Sequence, residues 1–188
     1  MNGSSMAAAS IIQKELGACE SLVWSGRPIQ GIRMQGGDIF MIPFSLLWGG
    51  FAIFWEYSAI KHGAPFFFAL FGVPFVLVGL YIIVGRFFYD AKRRENTFYG
   101  LTNQRVIIIS GVFSRNAKSL NLKTLSDISL TQKAGGYGTI SLGSQPFGFP
   151  FTSWGMSSWP GMPVAPSFEM IKDAKSVYDM IRKVQQEA

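Results

Sequence analysis

The sequence predicts an α+β protein: an antiparallel β-meander closed by a C-terminal amphipathic helix, with a two-helix transmembrane hairpin inserted near its beginning. Three observations predict this. Two long apolar stretches, Ile39–Trp55 and Pro65–Phe88, are separated by a short polar turn. Short β-branched segments follow between Asn96 and Gly143, broken by turn residues at close intervals. The final stretch repeats apolar side chains at helical spacing.

The 188 residues suffice for one ordinary domain with a small addition. Hydrophobic residues make up 48% and charged residues 15%, against roughly 25% charged in soluble domains. That apolar excess is concentrated between Ile39 and Phe88. The formal charge of +6 suits an anionic partner such as a lipid leaflet or nucleic acid. A single Cys excludes an intramolecular disulfide, and with a single His it excludes a Cys/His zinc site within one chain.

Residues 1–19 form an N-terminal segment. It has no cationic n-region, and Gln13, Lys14 and Glu15 interrupt any apolar run, so a removable signal peptide is not expected. Leu16-Gly17-Ala18-Cys19 superficially matches a lipoprotein cleavage site, yet no apolar stretch precedes it, and Cys19 reads as a plain thiol. Residues 20–37 supply the first strand or strands: "ESLVWSGRP" reads as a strand ending at Pro28, and "QGIRM" follows.

Residues 38–89 form the hairpin, with helices at about 39–60 and 65–88. Asp38 stands where an N-cap belongs, after Gly36-Gly37. Trp55 and Tyr57 fall near one boundary, as interfacial aromatics do. Arg27 and Arg33 precede the first helix, and Arg86, Lys92, Arg93 and Arg94 end the second, whereas the turn carries Lys61, His62 and Glu56. The excess of cations at the chain ends puts both termini in the cytoplasm and the turn outside. Arg86, Lys92, Arg93 and Arg94 are thus candidate anchors to anionic headgroups, at about 1 kcal/mol each near the surface.

Lipid gives little hydrophobic drive between helices, so small residues are expected where they meet. Ser45, Gly49 and Ala52 share one face of the first helix, and Ala69, Gly72 and Gly79 one face of the second. These faces serve either packing within the hairpin or association with another membrane protein. Pro43 and Pro74 are expected kinks, with no implication of transport. Glu56 lies at the outer boundary and reads as a wetted interfacial carboxylate, in preference to a proton path.

Residues 90–188 hold the rest of the soluble domain. The strands, at about 96–143, include "TFYGLT" and "RVIIIS" around an Asn103-Gln104 turn, then "LSDISLTQ", the bend "KAGGYG" and "TISLG". A helix is expected at about 168–186, capped by Ser167, with Met170, Ile171, Ala174, Val177, Tyr178, Ile181 and Val184 on one face. This helix can bury its stripe by covering the open end of the meander. Its polar face mixes both charge signs, which argues against a helix lying on the membrane. Between them, at 144–166, is an uncharged loop rich in Pro, Gly and aromatics. Its Phe147, Phe149, Phe151, Trp154 and Trp159 form a candidate interface, since disordered linkers are seldom so aromatic. Packing on the domain, lying at the bilayer interface and meeting a partner all remain open for it.

A strand before a membrane hairpin, a meander after it and a closing C-terminal helix together resemble the membrane-anchored bacterial pleckstrin-homology-like (PH-like) domains. The residues carrying the resemblance are Trp24-Ser25-Gly26-Arg27-Pro28, "FYGLTNQRVIIISG", Gly138-Thr139-Ile140 and "FEMIKDAKSVYDMI", from about Glu20 to Val184. The resemblance implies a small, strongly bent PH-like β-barrel or sandwich of about seven strands, capped by a helix. It brings no catalytic residues with it. Arg105 and Arg115 are either headgroup ligands or, the preferred reading, solvated strand-edge charges.

The remaining chemistry points away from catalysis. "KAGGYG" lacks the Gly-Lys-Ser/Thr ending of a phosphate-binding loop and reads as a tight turn. Asp90, Glu95 and Asp127 are scattered, and the lone His lies in the outer turn, away from any serine nucleophile's base position. The basic residues cluster where a bilayer would be, which disfavours nucleic acid. No catalytic, cofactor-binding or metal-ligating residues are assigned. The expected partners are a bilayer with anionic lipids and another membrane or cytoplasmic protein, with homo-oligomers possible. The expected role is a protein-binding module, or else an accessory subunit of a larger membrane complex or a lipid-headgroup binder.

Overall fold

The computed structural model describes residues 3–33, 38–112, 114–125, 127–133, 135–143 and 165–187. The chain divides into two compact units, a β-domain (1–31, 91–147 and 164–188) and a helical unit (32–90 and 148–163).

The β-domain contains seven strands among its described residues, all paired antiparallel. β1 (Leu22–Gly26), β2 (Phe98–Thr102), β3 (Arg105–Ser110) and β4 (Asn116–Asn121) form one sheet in sequence order. β5 (Ile128–Gln132), β6 (Tyr137–Leu142) and β7 (Ser167–Lys172) form the second. The sheets do not close into the barrel that the resemblance implies. Between β4 and β5 the chain turns a corner through a 3-10 turn, Leu122–Thr124, started by Asn121, whose side chain accepts the Lys123 N–H at 2.9 Å. Beyond the end of β1, the Ile29 N–H donates to the Met170 carbonyl of β7 at 3.0 Å.

The core lies between the sheets and helix α5 (Ala174–Glu187). Tyr99 and Leu101 of β2, Val106 and Ile108 of β3, Ile140 and Leu142 of β6, and Phe168 and Ile171 of β7 meet Ala174, Val177, Ile181 and Val184 of α5. At the far end of α5, Gln185 Nε2 donates to the carbonyls of Leu122 (3.0 Å) and Leu125 (2.7 Å), tying the helix to the 3-10 corner.

One expectation is corrected here. The closing helix starts at Ala174, and the stretch before it is β7, because Phe168 and Ile171 are buried against β6. Ser167 is therefore a strand residue and caps no helix. The chain leaves the strand through Met170 and Asp173, both in the left-handed region (φ 47° and 52°), and the Asp173 carbonyl accepts the Val177 N–H at 3.2 Å. The N-terminal segment also contributes to the β-domain. Gly3–Gln13 forms helix α1, whose Ala8 and Ile12 are fully buried. Ile12 packs with Ile107 and Ile109, on the face of β3 opposite the main core. Gly100 supplies the notch: a Cβ there would lie 2.6 Å from Ile12 Cγ2.

The helical unit contains α2 (Asp38–Lys61) and the helical run Phe66–Glu95. The run comprises α3 (Phe66–Leu80), a π-helical turn at Tyr81–Gly85, and α4 (Arg86–Glu95), whose last residues belong to the β-domain. Both are long and apolar enough to cross a membrane, and only 28% and 18% of their apolar windows are buried. The pattern is the inverse of a soluble core helix. α2 buries Asp38, Met41, Ser45, Gly49 and Ala52, while Leu47 and Phe54 of α2 and Phe66 and Phe67 of α3 point outward. At the crossing of α2 and α3, a Cβ on Gly79 would lie 2.9 Å from Gly49 Cα, and one on Gly49 would lie 2.7 Å from Ile83 Cδ1. The backbones approach because neither position carries a side chain.

Candidate functional site

A dense polar constellation is built around the Thr102–Arg105 turn that joins β2 to β3. Thr102 is fully buried, and its hydroxyl accepts the N–H groups of Gln104 (3.2 Å) and Arg105 (3.0 Å), which closes the turn. The same hydroxyl lies 2.7 Å from Glu20 Oε1 and 2.9 Å from the Arg105 carbonyl, with one proton to donate between them. Arg105 reaches Glu20 with Nε to Oε1 and Nη2 to Oε2, each 2.8 Å. Two further N–H groups go to Ser119 Oγ and the Glu15 carbonyl, both at 3.0 Å. The Glu20 side chain is 4% exposed, and the Arg105 guanidinium holds its pKa down to about 2. Asn103 completes the lock: its N–H donates to the Ser21 carbonyl (3.1 Å), and its Oδ1 accepts the Ser21 N–H (3.0 Å).

Arg105, read as a solvated edge charge, is instead held in an ion pair with Glu20, while 34% of its side chain stays exposed. Arg115 pairs with Glu15 at 3.1 Å on the surface. The turn is a structural device that holds the segment after α1 onto the sheet.

A second staple joins the stretch before α2 to the end of α4. The Arg27 guanidinium donates to the Glu95 carbonyl and lies over the Phe98 ring, 4.5 Å from its centroid. Arg94, 3% exposed, donates to the Gly31 carbonyl at 3.1 Å, while the Arg94 carbonyl accepts from Gln30 Nε2 at 3.2 Å. Arg93 pairs with Glu169 at 3.0 Å. Beside it, the Glu169 N–H donates to the Tyr99 hydroxyl at 3.0 Å, and burial raises that hydroxyl's pKa well above the phenol range.

The four cations expected to anchor the chain all have protein partners. Arg86 pairs with Asp38 at 2.9 Å within the helical unit, with 12% and 5% of the two side chains exposed. Arg93 and Arg94 are committed to the β-domain's own fold. Lys92 alone of the four is largely exposed, and it pairs with Glu95 at 2.9 Å, an interaction that lowers the Glu95 pKa. The run of cations is legible in sequence, but apart from Glu95 the carboxylates and carbonyls that engage it are distant in the chain.

The other expected sites are placed as follows. Ser45, Gly49 and Ala52 form the buried stripe of α2, and Gly79 meets Gly49. Gly72 faces Glu56: a Cβ there would collide with that carboxylate. Glu56 Oε2 is buried with no hydrogen-bond partner among the described residues, so the wetted carboxylate expected at this position is instead partly enclosed. Ala69 lies in α3, and its side chain is outside the description. Phe147, Phe149, Phe151, Trp154 and Trp159 lie outside the described residues. In the "KAGGYG" bend, Gly135 and Gly136 take φ of 93° and 78°, and Lys133 N–H donates to the Tyr137 carbonyl at 2.8 Å. That is a tight hairpin turn, for which glycine is suited.

The bacterial PH domain family matches residues 49–183, well over half of the chain. This chain belongs to the bacterial PH domain family. The matched stretch begins inside α2 and ends in α5, so the bacterial PH domain as matched contains most of the apolar helical unit as well as β2–β7. α1 and β1, which complete the first sheet and cover its outer face, precede the match. No curated protein and no solved structure matches the chain significantly.

Proposed function

We propose that this bacterial PH domain is a non-catalytic, membrane-anchored binding module. Its α2 and α3–α4 helices span the bacterial inner membrane as a hairpin, with both termini and the β-domain in the cytoplasm. The β-domain recruits or steadies a protein partner at that face, and contact with anionic lipid is secondary. The observation that carries this reading is the inverted burial of the helical unit: Gly49, Ala52 and Ser45 inside, Leu47, Phe54, Phe66 and Phe67 outside. Outward phenylalanines on this scale are costly in water and favourable in hydrocarbon. A headgroup-binding role is less well supported, because Arg93, Arg94 and Arg105 each already engage a partner within the domain.

A second reading, an accessory subunit of a larger membrane complex, is favoured by Gly50. It lies on α2 away from the helix crossing, with nothing within 4 Å of the position a Cβ would take. An open small residue of this kind suits a further helix in the bilayer. Purification in mild detergent separates the two. A stoichiometric membrane assembly selects the subunit, whereas a cytoplasmic partner that dissociates at high salt selects the module. Turnover or ion flux by the purified chain would overturn both.

A further inference from the structure

β4 ends the first sheet, and among the described residues no strand pairs with its outer edge. Asn116, Ala117, Lys118, Ser119 and Asn121 are exposed, and only Leu120 is partly buried. Such an edge offers backbone N–H and C=O groups to another extended chain. Its charge is one-sided. Lys118 stands mid-strand, and Arg115 and Lys123 flank it, all exposed. Arg115 shares its charge with Glu15 at the surface, while Lys118 and Lys123 have no ion-pair partner among the described residues. The other sheet ends at β5, Ile-Ser-Leu-Thr-Gln, which carries no charge at all.

We infer that β4 is the docking edge for an extended acidic segment of a partner protein, which adds to the first sheet as a fifth strand. This rests on the protein-binding reading above and names the surface and the partner's chemistry. Backbone pairing would supply affinity, and Lys118, Lys123 and Arg115 would select acidic side chains. The same charges work against a second copy. Two β4 strands paired antiparallel about their centres set Lys118 opposite Lys118 or its neighbour, and like charges there are unfavourable.

The test uses the full-length chain in nanodiscs of zwitterionic lipid, with a fluorescein-labelled Glu-Val-Glu-Val-Glu-Val peptide read by fluorescence anisotropy. Two further versions carry N-methyl groups on the glutamate or on the valine amides, and a fourth replaces glutamate by lysine. The acidic peptide is expected to bind and to slow amide exchange at residues 116–121. At least one N-methylated version and the Lys118→Glu/Lys123→Glu protein should each lose tenfold or more in affinity, and the lysine peptide should not bind. Both changed side chains are exposed, and an unshifted Tm verifies that the variant is folded. Equal binding by both N-methylated peptides, equal binding by the variant, binding of the lysine peptide, or no binding at all overturns the assignment. Self-association that the double variant abolishes overturns it too, in favour of a second copy. If the peptide fails while a cytoplasmic partner still co-purifies with both proteins, the edge is wrong and the module reading stands. If no partner co-purifies with either protein, the module reading itself falls.

Discussion

Arg105 and Glu20, far apart in sequence, are joined by two parallel hydrogen bonds of 2.8 Å, with the Thr102 hydroxyl 2.7 Å from the same carboxylate. Such fork-to-fork pairs are among the stronger polar contacts, and here one partner is almost fully enclosed. Glu20→Gln is expected to destabilise the β-domain by on the order of 2–3 kcal/mol, lowering Tm by roughly 5–15 °C. Thermal unfolding in detergent measures it, and an unchanged Tm would refute the role assigned to the pair.

The same pair sets a pH dependence. Glu20 has its folded pKa lowered to about 2 from 4.5, so its contribution is fully present above about pH 4.5. As pH falls through that window toward 2, the carboxylate protonates and the contribution is lost. The Tm gap between the wild type and Glu20→Gln should therefore narrow progressively from pH 5 to pH 2. A gap that stays constant over this range would mean that the ion pair is not its source.

Helix packing within the hairpin can be tested with one glycine at the helix crossing and one away from it. Gly79→Ala drives a methyl group toward Gly49 Cα at 2.9 Å, where only backbone can give way, and is expected to cost about 1–3 kcal/mol. Gly50→Ala meets nothing within 4 Å and should stay within about 0.5 kcal/mol of the wild type. Unfolding by sodium dodecyl sulfate titration ranks them. Equal effects, or a more damaging Gly50→Ala, would contradict the crossing at Gly49 and Gly79.

Asp38 and Arg86 predict a coupling. Either Asp38→Asn or Arg86→Gln leaves an enclosed charge without its partner, at about 3–5 kcal/mol, whereas the double substitution should cost clearly less than the two together. A double-mutant cycle in the same titration checks this. Simple additivity would show that the 2.9 Å contact carries no energy.

α1 yields a further prediction. Ile12→Ala empties the notch over Gly100 and should cost about 2–4 kcal/mol of local stability. The expected sign is faster hydrogen exchange at Ile107 and Ile109. Unchanged exchange at those strand residues would detach α1 from the sheet.

What the sequence made legible follows the range of the interactions. The two apolar helices, the Asn103-Gln104 turn and the glycine bend are written in contiguous residues, and they fold where their local chemistry directs. Val106–Ile109 carried more than was read from it. Four β-branched residues without polar alternation mark a strand covered on both faces, and α1 is the second cover. Ser167–Lys172 was ambiguous because Phe168, Ile171, Ala174 and Val177 recur every third residue, a spacing that fits a helix until pairing with β6 decides it. The ion pairs were out of reach. Nothing near Arg105 announces Glu20, and nothing near Arg86 announces Asp38, because each partner lies far away in the chain.

The transmembrane reading is tested most directly by the position of the turn between α2 and α3. In a Cys19→Ser background, His62→Cys should react with a membrane-impermeant maleimide in intact spheroplasts. Lys92→Cys in the same background should react only after the membrane is permeabilised. Reaction of His62→Cys only after permeabilisation, or recovery of the chain in the supernatant after ultracentrifugation, would contradict the account.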